Sequence, residues 1–196
     1  MSRTYVVTGS ASGIGKATRE LLIEQGHRVI GTDIRDADIV ADLSTAAGRD
    51  HLVQEVTRVS GGSIDAVLAV AGLATPTAAT VAVNYYGTIA TLEGLRPLLL
   101  NSPNPRAVVV SSMAAIFPPD ETLLNELLDG SEAKAMARAA ELEASDAQQS
   151  SVIYGTTKRA LSRWIRRQAP SQDWAAASIP LDAVSPGVVY TPMTPT

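Results

Sequence analysis

Eight consecutive residues, Thr8-Gly9-Ser10-Ala11-Ser12-Gly13-Ile14-Gly15, restrict the fold of this chain more than any others. They follow a short apolar run at residues 4–7. They lead into residues 14–25, where Ile14, Ala17, Leu21 and Leu22 recur at helical spacing. A strand that turns through glycines straight into a helix belongs to a wound α/β sheet. Glycines at 9, 13 and 15 let the backbone approach a pyrophosphate, and the helix N-terminus behind them favours its negative charge. The loop therefore reads as a dinucleotide-binding turn.

The rest of the chain continues the alternation. Gly26 stands where a helix C-terminal cap belongs, and residues 28–32 form the next strand, ending at Asp33. Ser44 is placed to cap a helix that runs to about residue 60, where Gly61-Gly62 stop it. Residues 65–71, Asp-Ala-Val-Leu-Ala-Val-Ala, are a near-continuous apolar run, the pattern of a strand covered on both faces. A long helix is predicted over 83–99, turn chemistry over 101–105, and a buried strand over 107–111. A helix over 152–168 and a strand over 181–184, before Pro186-Gly187, complete the order. The expectation is one domain, a doubly wound parallel sheet with helices on both faces. Ligands bind such sheets at the carboxyl ends of the strands, where Gly9, Asp33, Gly72, Ser112 and Pro186 all fall.

Composition narrows the function class. At 196 residues, with 45% apolar and 18% charged, the chain can bury a sizeable single core. A net charge of −4 gives no electrostatic reason to expect nucleic acid or an anionic membrane surface as partner. With no cysteine, disulfides, thiolate metal sites and thiol catalysis are excluded. His27 and His51 have no metal-ligand spacing. The absence of an apolar leader or an 18-residue apolar run leads to the expectation of a cytoplasmic protein without a membrane span.

Asp33 follows Gly15 by 18 residues. A carboxylate there can accept hydrogen bonds from an adenosine ribose and repels a 2′-phosphate, which favours NAD over NADP, although Arg35 stands two residues on. Tyr154 and Lys158 are four residues apart and share one helix face. An ammonium beside a phenol favours the phenolate and makes it a usable general base; the same lysine can hydrogen-bond a ribose. Ser112, at a strand end, can donate to a carbonyl oxygen as charge develops on it.

With these residues in view the chain resembles the short-chain dehydrogenase/reductases over essentially its whole length. The resemblance is carried by residues 8–15, Asp33, Asp42-Leu43, Ala71-Gly72, Asn84, Ser111-Ser112, Tyr154 with Lys158, and Pro186-Gly187 with Thr191. Residues 31–37, 41–46 and 83–87 look closer to one branch, the bacterial 3α-hydroxysteroid dehydrogenase/carbonyl reductases. The resemblance implies that Tyr154 is the acid/base, that Lys158 assists it and binds the nicotinamide ribose, and that Ser112 holds the substrate oxygen. It implies that Asn84 positions a proton-relay water near Lys158. In the loop, Gly9, Ser10, Ala11, Ser12, Gly13, Ile14 and Gly15 would hold the cofactor. Asp42 and Leu43 would contact the adenine, Ala71 and Gly72 the adenosine side, and Pro186, Gly187, Val188 and Thr191 the nicotinamide end. Two departures stand out. The family's Asn-Asn-Ala-Gly turn is here Ala69-Val70-Ala71-Gly72, and the chain ends at Thr196, where relatives continue. The sheet is accordingly expected to lack the usual C-terminal helix and last strand, and the sequence to be incomplete.

Ser112 and Tyr154 are 42 residues apart, which leaves room for a helical insert over 117–150. Leu123, Leu124, Leu127 and Leu128 form one stripe, ended by Gly130. Ser131 is placed to cap a second helix bearing Ala133, Met136, Ala137 and Ala140. Between Asp120 and Asp146 there are 8 acidic and 2 basic residues, so one face is expected to be solvated. Tethered between two catalytic residues, the insert is expected near the active-site mouth, either as an apolar lid or as a structural or dimer-contact hairpin. The reading is an NAD-dependent oxidoreductase that interconverts a secondary alcohol and a ketone, with a small hydrophobic, steroid-like substrate. A homodimer or homotetramer is expected by resemblance. An enzyme of the same family for another alcohol and a non-enzymatic NAD sensor are the alternatives.

Overall fold

The computed structural model describes residues 2–129 and 131–194. Six strands, β1 (Thr4–Thr8), β2 (Arg28–Asp33), β3 (Ile39–Val40), β4 (Ala66–Ala69), β5 (Arg106–Val110) and β6 (Leu181–Val184), form one sheet. The order is β3-β2-β1-β4-β5-β6 and every pairing is parallel. The chain begins in the middle, winds outward through β2 and β3, then crosses back beside β1 and winds the other way. That reversal between β1 and β4 opens a crevice at the strands' carboxyl ends. Because the crossovers are right-handed, reversing direction puts the helices on opposite faces. Helix α1 (Gly13–Glu24) packs against β1 and β2; α2 (Ala46–Ser60) and α4 (Thr88–Leu99) pack together on the other side, where α4 meets β4 and β5. Helix α8 (Val152–Gln168) lies beside them, over β6.

The core lies between the sheet and this larger helical layer. Val6, Val67, Leu92, Leu95, Leu99, Val109 and Ile153 are all fully buried there. The opposite face is covered less completely. Strand β4 is buried almost throughout, as its apolar run implies, but β5 alternates between buried and half-buried residues. On β6, Val184 is 51% exposed. The buried strand expected over 107–111 is thus buried on one face and half-buried on the other, because α1 packs chiefly on β1 and β2. Its own predicted stripe is also loose, with Ala17 and Leu21 exposed while Ile14, Thr18 and Leu22 are half-buried.

Local chemistry explains several boundaries. Gly26, with φ +79°, ends α1, and Gly61, with φ +70°, ends α2. Thr45, not Ser44, caps α2, accepting the Gly48 N–H at 3.0 Å. The Ser44 hydroxyl is instead drawn back onto the Asp42 carboxylate at 2.6 Å. The helix predicted from residue 83 begins earlier, as α3 (Ala78–Val81), and runs through a π-helical segment (Ala82–Gly87) into α4. The extra residue in that wide turn breaks the 3.6-residue spacing, which hid the helix start.

The insert is three helices, α5 (Glu121–Leu128), α6 (Glu132–Glu143) and α7 (Ala147–Ser150). Leu123, Leu124 and Leu127 are fully buried, and α5 packs on α8. In α6 the buried residues are Ala135, Ala139 and Leu142, with Met136 partly covered; the predicted Ala133, Ala137 and Ala140 are not buried. A helix this rich in alanine has almost no apolar contrast, so its register is set by what it docks against. Arg49 of α2 grips Glu132 at 2.8 and 3.1 Å, and Glu143 accepts the Ala78 N–H at 2.8 Å. Ser131 occupies the N-cap position of α6 but makes no capping hydrogen bond, and the expected stop at Gly130 lies outside the described residues. No helix among the described residues is long and apolar enough to cross a membrane.

Candidate active site

Two adjoining clefts of about 160 and 510 Å³ run along the carboxyl ends of the strands. Gly9, Ser12, Ala71 and Gly72 line both, so the clefts form one groove. At its centre is the glycine loop. A Cβ on Gly9 would stand 2.9 Å from the Ala71 Cα, and Gly9 itself has φ +69°. A Cβ on Gly15 would stand only 2.1 Å from the Gly9 carbonyl oxygen. The loop thus folds back on itself with no space for side chains, and the first turn of α1 faces the groove. Ser12, in the N-cap position, makes no side-chain cap, which leaves the leading N–H groups of α1 for an anion. Backbone packed this tightly beside an uncapped helix start fits a pyrophosphate.

The larger cleft is lined by Asp33, Ile34, Arg35, Asp42, Leu43 and Leu73, among others. Asp33 is oriented by two backbone donors: Ala11 N–H to one carboxylate oxygen at 2.9 Å and its neighbour Ile34 N–H to the other at 2.7 Å. Asp42 accepts the Ser44 N–H at 2.9 Å. Ile34 is 62% exposed and Leu73 is 36% exposed, so this cleft offers apolar flanks beside a fixed carboxylate, suited to a base and its ribose.

The smaller cleft brings together Ser112, Tyr154 and Lys158 with Pro186, Gly187 and Thr191. Lys158 is buried, only 4% exposed, and its ammonium lies 5.7 Å from the centre of the Tyr154 ring. It donates to the Val110 carbonyl at 2.9 Å. Burial is the sole cause acting on its ionisation and lowers its pKa from 10.5 to about 8. Ser112 caps the short 3₁₀ turn Met113–Ile116, its oxygen accepting the Ala114 N–H at 3.1 Å. With that lone pair in use, the hydroxyl proton is free to be donated elsewhere. Asn84 is wholly buried in the π-helical segment. Its amide accepts the Leu73 N–H at 2.7 Å, donates to the Leu73 carbonyl at 2.9 Å and reaches the Thr157 hydroxyl at 3.2 Å. Its side chain therefore ties the β4 loop to α8 beside Lys158: a Cβ on Gly72 would lie 3.2 Å from the Asn84 oxygen and 3.6 Å from the Lys158 Nζ.

Two expected cofactor residues line neither cleft. Ser10 is buried and donates to the Thr32 carbonyl at 3.3 Å; Val188 is 82% exposed and lines neither cleft, whereas Val189 lines the smaller one. Among the described residues, the insert supplies no lining residue to either cleft. Thr8 was read only as the start of the loop motif, with no role of its own; its buried hydroxyl oxygen accepts both the Val70 and Ala71 N–H groups at 3.0 Å. That bond pair holds the Ala69–Gly72 turn against β1 without help from an asparagine there. A buried threonine at a strand end was the available signal. Met193, an apolar residue lining the smaller cleft, and Met113, whose sulfur would lie 3.8 Å from a Cβ on Gly187, were also passed over.

The family model described as short chain dehydrogenase matches residues 3–124. This chain belongs to the short-chain dehydrogenase family. A curated relative, the 3-alpha-hydroxysteroid dehydrogenase/carbonyl reductase of Comamonas testosteroni, is 37% identical over 193 residues, covering 96% of this chain and 73% of the relative. The coniferyl-alcohol dehydrogenase of Pseudomonas sp. strain HR199 is 31% identical over 98% of this chain and 75% of its own length. The solved structure of the 3-alpha-hydroxysteroid dehydrogenase from Pseudomonas sp. B-0831, complexed with NADH, matches with a TM-score of 0.90 at 40% identity. It covers 97% of this chain, which in turn covers 74% of that one. The protein is an oxidoreductase of the short-chain dehydrogenase family with its parallel Rossmann-like sheet, and the chain spans about three quarters of the length of these relatives.

Proposed function

We propose that this short-chain dehydrogenase uses NAD(H) to interconvert a secondary alcohol and a ketone on a hydrophobic, steroid-like substrate. The observation that carries the reading is the convergence of Ser112, Tyr154 and Lys158 on the cleft that the glycine loop also lines. Asp33 supports NAD over NADP: two backbone donors hold its carboxylate at the adenosine end, where it would repel a 2′-phosphate. The substrate class is supported by the relatives' names and by the apolar residues Val189 and Met193, both partly exposed, that line the smaller cleft. Small hydrophobic partners, a cytoplasmic location and a homodimer or homotetramer complete the proposal.

A bound nicotinamide cofactor would be held by the glycine loop, Asp33 and Lys158 and would supply hydride transfer to or from the substrate carbon. The remaining work falls to the chain. Ser112 donates its free hydroxyl proton to the substrate oxygen and stabilises charge there. Tyr154 takes the alcohol proton in oxidation and returns it in reduction. Lys158 spends one N–H on Val110, which leaves two for a cofactor ribose, and sets its positive charge beside the Tyr154 ring. Asn84 fixes the loop and helix that flank Lys158.

The test is NADH formation from a panel of secondary alcohols, 3α-hydroxysteroids included, with NAD against NADP and wild type against Tyr154→Phe. Turnover of an apolar secondary alcohol with NAD, lost in the variant, is the expected result. Turnover that survives Tyr154→Phe would refute the assignment.

A further inference from the structure

Ser162 lies one helical turn beyond Lys158 on α8 and lines neither cleft. Its hydroxyl donates to the Lys158 carbonyl at 2.9 Å and lies 2.9 Å from the Ser111 hydroxyl. Ser111 is 2% exposed, so that hydroxyl depends on protein partners. Its other contact is again the Lys158 carbonyl, at 3.4 Å. The assignment that satisfies every group is a chain: Ser111 O–H to the Ser162 oxygen, and Ser162 O–H to the Lys158 carbonyl. Ser111 is meanwhile anchored to the sheet, its N–H donating to the Val184 carbonyl at 2.8 Å.

Three successive residues leaving β5 thus divide one task. The Val110 carbonyl holds the Lys158 ammonium. Ser111 engages the Lys158 backbone through Ser162. Ser112 presents its hydroxyl to the smaller cleft. We propose that Ser111 and Ser162 are positioning residues whose hydroxyl pair fixes α8 against the end of β5, and so sets where Lys158 and Tyr154 stand relative to Ser112. This rests on the reading given under Proposed function. Ser162 acts only through Lys158. A helical serine at this position would ordinarily do no more than bond back to its own helix; the buried Ser111 partner on the sheet turns that bond into a link between the two elements.

The test compares Ser162→Ala and Ser162→Thr in the full chain, because threonine keeps the hydroxyl and can make the same bond back to residue 158. The probes are NADH, which would reach Lys158, and AMP, which would occupy only the Asp33 end of the groove. Ser162→Ala should weaken NADH about fivefold while AMP affinity stays within about twofold of wild type. With an alcohol that the wild type oxidises, kcat should fall about tenfold with KM nearly unchanged. Ser162→Thr should restore both. An unchanged Ser162→Ala enzyme would overturn the inference. Equal weakening of NADH and AMP would do so too, as general loosening, and so would a threonine variant no better than alanine. A wild type that fails to bind NADH would instead sink the functional reading and this inference with it. A wild type that binds NADH but oxidises no alcohol counts only against the substrate reading, and the NADH–AMP comparison still decides the role of Ser162.

Discussion

Replacing Gly15 by alanine isolates what the glycine loop contributes. The added Cβ would lie 2.1 Å from the Gly9 carbonyl oxygen, 2.7 Å from its carbon and 3.2 Å from the Thr8 carbonyl oxygen. Ordinary carbon–oxygen contacts are about 3.3 Å or longer, so the loop must open by roughly 1.2 Å. All the atoms it meets are backbone, and no side-chain rotation relieves the clash. A displacement near 1 Å in a site that positions its ligand typically costs about a hundredfold. That corresponds to about 2.7 kcal/mol of NADH binding. NADH fluorescence titration of the purified, folded variant reads this directly. Gly26→Ala is the control: it meets nothing within 4 Å, and its φ of +79° strains the fold without touching the groove. Its cost should be about 1 kcal/mol in urea unfolding with no change in NADH affinity. A folded Gly15→Ala protein binding NADH within about threefold of wild type would refute the reasoning, since that is under 1 kcal/mol.

Other perturbations test other links. Lys158 has a folded pKa of about 8, below its ordinary 10.5, so between these values the folded chain binds fewer protons than the unfolded one and wild-type stability rises with pH. Lys158→Met should lose that slope, lose activity, and gain up to roughly 3 kcal/mol at pH 7, less about 1 kcal/mol for the lost Val110 bond. Identical slopes in urea unfolding at pH 8 to 10 would contradict this. Leu124→Ala, fully buried in the insert, should cost about 2–5 kcal/mol in a single unfolding transition, because the insert belongs to the core. A separate early transition would show instead that α5 and α6 form an independent flap. Asp33→Ala should narrow the preference for NAD over NADP by about tenfold, read as the ratio of kcat/KM values; an unchanged ratio would move the discrimination to another group.

Much of this molecule was legible before any coordinates because its chemistry is local. A strand, a glycine turn and a helix are contiguous, so the spacing of Gly9, Gly13 and Gly15 already described a close-packed loop. Asp33, Asp42 and Ser112 stand at or just beyond strand ends in sequence, and the ends of parallel strands converge in space. Tyr154 and Lys158 share a helix face because they are one turn apart. Ser10 was read as part of the same loop, but whether a serine in a turn faces out or bonds inward depends on the neighbouring strand, and Thr32 captured it. The cap of α2 fell on Thr45 because Ser44 had a nearer acceptor in Asp42.

The wound parallel sheet and the groove at its carboxyl edge were readable from the sequence, since each is signalled by residue patterns that span only a few positions along the chain. Only the tertiary structure decided the rest. The insert is part of the core because Arg49, 83 residues before Glu132, supplies the charge that docks α6. The alanine-rich α6 carried too little apolar contrast to fix its own register. The helix bearing Asn84 widens into a π turn, and the Asn84 amide is clasped by the Leu73 backbone and Thr157. The setting of Lys158 depends on a carbonyl and two hydroxyls that two separate stretches of chain bring together, and hydrogen bonds between distant segments leave no periodic trace in sequence.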